Sequence, residues 1–178
     1  MKKLVWIALA LALLLSLTAC GTKQAASQTA QGTGMANPWT DVASAAEAAD
    51  GAGVGYFEVP EKGTQIGVGP VDIEAFRCMK GIAQANGYAG AAELMIRKGL
   101  KQDGEDVSGD YTNYAHQWTQ EIDVWTVKCF GNEDGKAMKV IWCSDNFSYC
   151  IYVRGQGDVR DSFGLGADDV AALVNAIQ

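Results

Sequence analysis

The chain has 178 residues, five cysteines, a single histidine and a formal charge of −7 at neutral pH. That length suits one domain with one core, and so acidic a balance disfavours a nucleic-acid partner or electrostatic adhesion to anionic lipid, because both present phosphate.

Lys2 and Lys3 precede an apolar run from Leu4 to Leu15, which ends at "LTACG", Leu17 to Gly21. Roughly a dozen apolar residues fall short of the ~20 that span a bilayer, and Thr18 and Ala19 are small residues of the kind found at cleavage sites. Residues 1–19 are therefore predicted to be a signal peptide. Without Lys2 and Lys3 the charge becomes −7 − 2 = −9. Residues 20–36, "CGTKQAASQTAQGTGMA", are too poor in large apolar groups to bury a core and are predicted to form a flexible tether. Folding material begins near Asn37, and 37–178 is predicted to be a single domain.

Within that domain, Ser44 and Glu47 stand at capping-box spacing before an alanine-rich turn, which predicts a short helix with Gly51 as its stop. "VGYFEVPE" from Val54 reads as a strand closed by Pro60. Between Glu74 and Gly99, alanine, leucine and methionine favour helix while Gly81, Gly87 and Gly90 interrupt it, so pattern leaves helix and strand both open. "WTVKCFG", "AMKVIWCS" and "FSYCIYVR", separated by "NEDGK" and "DN", predict an antiparallel meander. A two-residue turn at Asp145 and Asn146 pairs Trp142 with Tyr149. Trp142, Val140, Tyr149, Ile151 and Val153 then share a core face with Trp125 and Val127. Glu121 and Asp123 fall in phase with Trp125, so a turn or bulge near Asp123 must reset the alternation. Val170, Leu173, Val174 and Ile177 have the spacing of an amphipathic terminal helix, with Asp168 and Asp169 at its positive end.

The stretch "EDVSGDYTNYAH", Glu105 to His116, gathers three acids, two tyrosines and the histidine. As a calcium loop it fails, since Tyr111 stands where the sharp turn needs glycine and Gln117 where a bidentate acid should close the site. As a turn, Asp106 accepts N–H groups two residues on, Gly109 takes positive φ, and Tyr111 and Tyr114 cover the end of the sheet. Nucleophilic catalysis lacks its setting, because His116 belongs to no nucleophile-elbow sequence. Paired carboxylates among Glu105, Asp106 and Asp110 keep open an alternative, an envelope hydrolase. No metal or cofactor is expected, since no two cysteines have structural-zinc spacing.

The leader resembles a bacterial lipobox, which implies that Cys20 is the diacylated mature N-terminus. The succession "NPW", "S-x-x-E-A", "VPE", "MIRKG…EDVSGDYTNY" and "VIWCSDNFSYCIYV" resembles a group of uncharacterised lipoproteins of Gram-positive bacteria. Similar domains occur on the outer side of anti-sigma-factor-like membrane proteins. The resemblance spans Asn37 to the C-terminus and implies two antiparallel strands over Ala75 to Lys98. It brings no enzymatic activity with it. The expected fold is α+β, an antiparallel sheet of about six strands with short N- and C-terminal helices on one face.

With Cys20 assigned to lipid, four cysteines are left to pair in an oxidising envelope, with three connectivities open. The hairpin register makes Cys143 and Cys150 diagonal neighbours, which leaves Cys78 with Cys129, with free buried thiols the alternative for that second pair. The expected function is a non-catalytic surface module, held at the extracytoplasmic face of the cell membrane by lipid. It would take an envelope protein or peptide through Asp106, Asp110, Tyr111, Tyr114 and Trp118.

Overall fold

A computed structural model describes residues 37–177. The predicted leader, tether and Cys20 lie outside the described residues. Nine strands and two short helices follow in the order β1 (Thr40–Val42), α1 (Ala45–Ala52), β2 (Gln65–Ile66), β3 (Gly69–Met79), β4 (Ile82–Ala89), β5 (Ala92–Leu100), β6 (His116–Ile122), β7 (Trp125–Gly131), β8 (Lys139–Cys143), β9 (Phe147–Arg154) and α2 (Ala167–Asn175). The sheet runs β1-β3-β4-β5-β9-β8-β7-β6, all antiparallel, with β2 pairing β3 off this path. It is thus two meanders, β3 to β5 and β6 to β9, joined where β5 meets β9. Residues 101–115 leave β5 in the middle of the sheet and reach β6 at the far edge, so they must cross the sheet.

The α+β architecture agrees with the sequence reading, but the sheet has nine strands where about six are predicted. The extra ones include β1 and β2, too short to carry a periodic signal. The glycines that argued against a long helix are hairpin turns: Gly81 (φ 84°) and Gly90 (φ 59°) lie between Met79 and Ile82 and between Ala89 and Ala92, which face each other across the ladders. Residues 75–98 consequently fall in three strands, where the resemblance implied two. The segment from Val54 to Pro60 is not a strand. Val54 and Phe57 are core plugs instead, and the Tyr56 carbonyl accepts from the buried Lys98 ammonium. That ammonium lies 4.4 Å from the centre of the Phe147 ring, a cation–π contact that offsets part of its desolvation.

Ser44 caps α1 by accepting from the Glu47 N–H at 3.2 Å, while the Glu47 carboxylate accepts from the Ala43 N–H. The helix runs through Gly51 and stops at Gly53 in the left-handed conformation, φ 72°. Gly51 serves contact instead, since a Cβ there would lie 2.5 Å from Cys78 Sγ. Small residues on both sides let α1 approach closely: Ala48, Ala49 and Ala52 join Ala83 and Ala85 of β4 in the buried core. Core-facing side chains form a continuous cross-strand row of Val42, Phe76, Ala85, Ile96, Ile151, Val140, Cys129 and Trp118. Val170, Leu173, Val174 and Ile177 at the C-terminus are all buried in the same cluster, as their spacing predicts. Trp142 faces Tyr149 in register, their rings stacked at 5.2 Å. Asp123 turns the chain between β6 and β7 at φ 50°, the predicted reset.

The four described cysteines are free thiols, so neither expected disulfide is formed. Cys78 and Cys129 lie on β3 and β7, five strands apart in the sheet, beyond the reach of a disulfide. Cys143 and Cys150 do share a face, but Ser148 and Ile141 stand directly opposite them, and Cys150 is fully buried beside Val107. No helix among the described residues is long and apolar enough to cross a membrane.

Candidate functional site

Alternation along the strands gives the sheet a second face, opposite the helices. Its central row reads Asp41, Arg77, Gln84, Arg97, Cys150, Ile141, Lys128 and Thr119. One step along lies a second row of Ala75, Asn86, Met95, Tyr152, Lys139, Phe130 and Gln117. Polar groups dominate both rows, and the 101–115 segment covers part of this face as a strap.

The strap is pinned by two cations, the buried Lys139 and the half-buried Arg97. Lys139, 5% exposed, donates to Asp106 Oδ2 at 3.0 Å and to the Asp110 carbonyl at 3.2 Å, with Asp110 Oδ2 at 3.7 Å. Its ammonium also lies 4.8 Å from the Phe130 ring centre. Arg97 donates to the carbonyls of Val107 and Ser108, and through Nε to Gln84 Oε1 at 2.7 Å. The strap's own Val107 packs with Ile141 and Cys150 of the sheet in a small second apolar cluster.

The turn chemistry of the Glu105–His116 stretch is as predicted in part. Asp106 Oδ1 accepts from the Ser108 N–H at 2.9 Å, and Gly109 has φ 66°. Asp110 accepts from the Thr112 hydroxyl and, at 2.6 Å, from the Tyr114 hydroxyl. Burial pushes the Asp106 carboxyl up, but the Ser108 donors and the Lys139 ammonium outweigh it and hold it below the usual value. Asp110 is likewise held down against burial, by Thr112, Tyr114 and Lys139. Burial and the Asp110 carboxylate push the Tyr114 hydroxyl far above its ordinary range. Glu105 pairs with Lys128 at 3.1 Å, and His116 is exposed at the start of β6.

The five residues predicted to form a binding surface are therefore not one surface. Asp106 and Asp110 are committed to Lys139 and to the strap's own backbone. Tyr114 supports Asp110, and Trp118 points to the core face. Tyr111 does not cover the sheet's end, because it sits one residue past the Lys139-anchored carbonyl and projects outward, 94% exposed. A Tyr111→Ala variant should consequently unfold within about 0.5 kcal/mol of wild type in urea, the size typical of an exposed position.

What the strap leaves open is a cleft of about 350 Å³, lined by Glu74, Arg77, Gln84, Asn86, Tyr88, Glu93, Met95 and Tyr152 among others. One wall is shaped by a β-bulge in which Glu74 is the extra residue between the pairs Ile73–Gly87 and Ala75–Asn86. A wider cleft of about 550 Å³ lies by Lys101, Glu105, Lys128 and Cys143, where Glu105 and Lys128 neutralise each other. Sequence reasoning missed Arg77, Gln84, Arg97 and Lys139. The first three become visible once the two glycine turns are taken as hairpins, since the turns alone fix the Arg77–Gln84–Arg97 row. Among the described residues no group of three or more His, Cys, Asp or Glu side chains is placed to hold a metal. No protein-family model, curated protein or solved structure matches the chain.

Proposed function

We propose that this chain is a lipid-anchored surface protein of the extracytoplasmic face, and that its domain is a non-catalytic module that binds an envelope protein or peptide. The observation that carries the reading is the division of labour on the strap-bearing face. The acids that hydrolysis would call upon are tied up, with Asp106 and Asp110 accepting from Lys139, Ser108, Thr112 and Tyr114 and both carboxyls held low. A general acid for glycoside cleavage needs the opposite, a carboxyl raised toward neutral pH. The concave remainder of the face keeps polar groups and tyrosines that suit recognition.

A photo-crosslinking phenylalanine analogue in place of Tyr88, activated in the cells' own membranes, should trap a discrete protein or peptide adduct. Labelling of lipid alone would refute the binding reading. Anchoring rests on Cys20: Cys20→Ala should move the protein from the detergent phase to the aqueous phase after signal cleavage, because the acyl chains supply the membrane affinity. Retention of the processed variant in the detergent phase would refute the anchor.

A further inference from the structure

In a chain with 21 acidic and 14 basic residues, two arginines on the strap-bearing face have no carboxylate within ion-pair distance among the described residues. They are Arg77 and Arg97, separated in the ladder only by Gln84. The guanidinium carbons lie 4.4 and 5.1 Å from the centre of the same Trp39 ring, so one indole holds both cations together. Such proximity of like charges is unfavourable unless something between or beside them is negative. Asp41 faces Arg77 across the β1–β3 ladder, yet its carboxylate does not come within 4.0 Å. Asp106, the acid felt by Arg97, is already bound to Lys139.

The two arginines differ in what they have left to offer. Arg97 commits its Nε to Gln84 and its Nη1 to the strap carbonyls. The Arg77 side chain makes no hydrogen bond to another described residue, and its Nε is buried without a partner. Nε is shut off from the cleft, so the donors Arg77 has for a ligand are those of its terminal Nη1 and Nη2, and that planar pair suits a carboxylate. Arg77 also lines the 350 Å³ cleft, with the Asn86 amide, Met95 and the Tyr88 and Tyr152 rings along it and Glu74 and Glu93 bordering it. Along β4, Gln84 in the Arg77 row and Tyr88 opposite Glu93 are four residues apart, about 13 Å. An extended peptide of about four residues spans that length.

We infer that the cleft takes the C-terminal end of a short peptide, its carboxylate on Arg77 and a cationic side chain or terminus toward Glu93. This rests on the binding reading above and specifies its ligand. Glu74 at the bulge and Glu93 at the far end make the cleft a poor host for polyanions, and the clamp on Trp39 presents the guanidinium already oriented.

The test is calorimetric titration of the full-length chain in neutral detergent with the tetrapeptide Lys-Ala-Ala-Ala and with its C-terminal amide. Saturable binding of the free acid, weakened at least tenfold by amidation and equally by Arg77→Gln, is expected. Arg77→Lys, which keeps the charge and loses the fork, should fall between the two. Equal binding of acid and amide, an unaltered affinity in Arg77→Gln, or displacement of the peptide by equimolar inorganic phosphate would each overturn the assignment. So would a complete failure of the peptide to bind. If Tyr88 crosslinking still traps an envelope protein in that last case, the binding module stands and only its peptide ligand falls.

Discussion

Lys139→Met should destabilise the domain by about 3 kcal/mol, read as a lower urea midpoint at neutral pH. Its side chain is 6% exposed, and it faces Asp106 at 40% and Asp110 at 16%. Removing one partner of a buried pair strands the other charge, a loss of about 3–5 kcal/mol, and the partial exposure of Asp106 places this case at the low end. Methionine fills the space beside Phe130 and Tyr114, so the loss reports charge, not a cavity. Adding Asp106→Asn and Asp110→Asn to Lys139→Met should restore more than half of it, since a neutralised site has nothing left to strand. A single variant within 1 kcal/mol of wild type would show that the strap is not held this way. The pH dependence has a definite sign. Both carboxyls are depressed in the folded state, so their contribution is complete above the ordinary value of 3.8 and fades as pH drops through the lower folded value. The triple variant should lose this part of the acid slope.

Gly87→Ala should cost about 3 kcal/mol or more, roughly a 10 °C fall in melting temperature for a domain of this size. A Cβ on Gly87 would lie 2.0 Å from the Asp72 carbonyl oxygen and 2.8 Å from Ile73 Cα. Both are backbone atoms of the bulged neighbour strand, which cannot rotate aside as a side chain would. Relief requires the bulge at Glu74 to open, and with it the wall of the cleft. Loss of amide protection around Asn86 and Leu94, ahead of the rest of the sheet, is the accompanying signature. A melting temperature unchanged within 2 °C would show that the bulge yields freely.

The elements that were legible in the sequence are those whose signals are local. "DN" fixes the register of β8 and β9, the phase conflict at Asp123 demands a turn, and four apolar positions mark α2. The alanines of β4 misled because small residues favour helix in isolation, whereas here they are small to admit α1 against the sheet. Val54 to Val59 has strand composition without a neighbour to complete a ladder. The site was harder still. Asp106 reaches Lys139 across 33 residues and Lys98 reaches Tyr56 across 42, and no window along the chain contains both members of either contact. Tyr111 and Tyr114 are three residues apart and alike in composition, yet one is out in solvent and the other bonded to Asp110, a difference decided by where the strap is anchored.

The order of strands has a kinetic consequence. Each meander closes through turns of a few residues, so β3 to β5 and β6 to β9 can each assemble from near neighbours in the chain. Their one junction pairs Glu93 with Arg154 and Leu100 with Phe147, far apart in sequence, and closing it carries most of the loop entropy of the fold. The strap spans that junction: it leaves β5, accepts from Arg97 on the same strand, and is bonded to Ser148 on β9 and Lys139 on β8. It therefore acts as a latch across the join, and opening of the native state should begin with its release and proceed by separation of the two halves between β5 and β9.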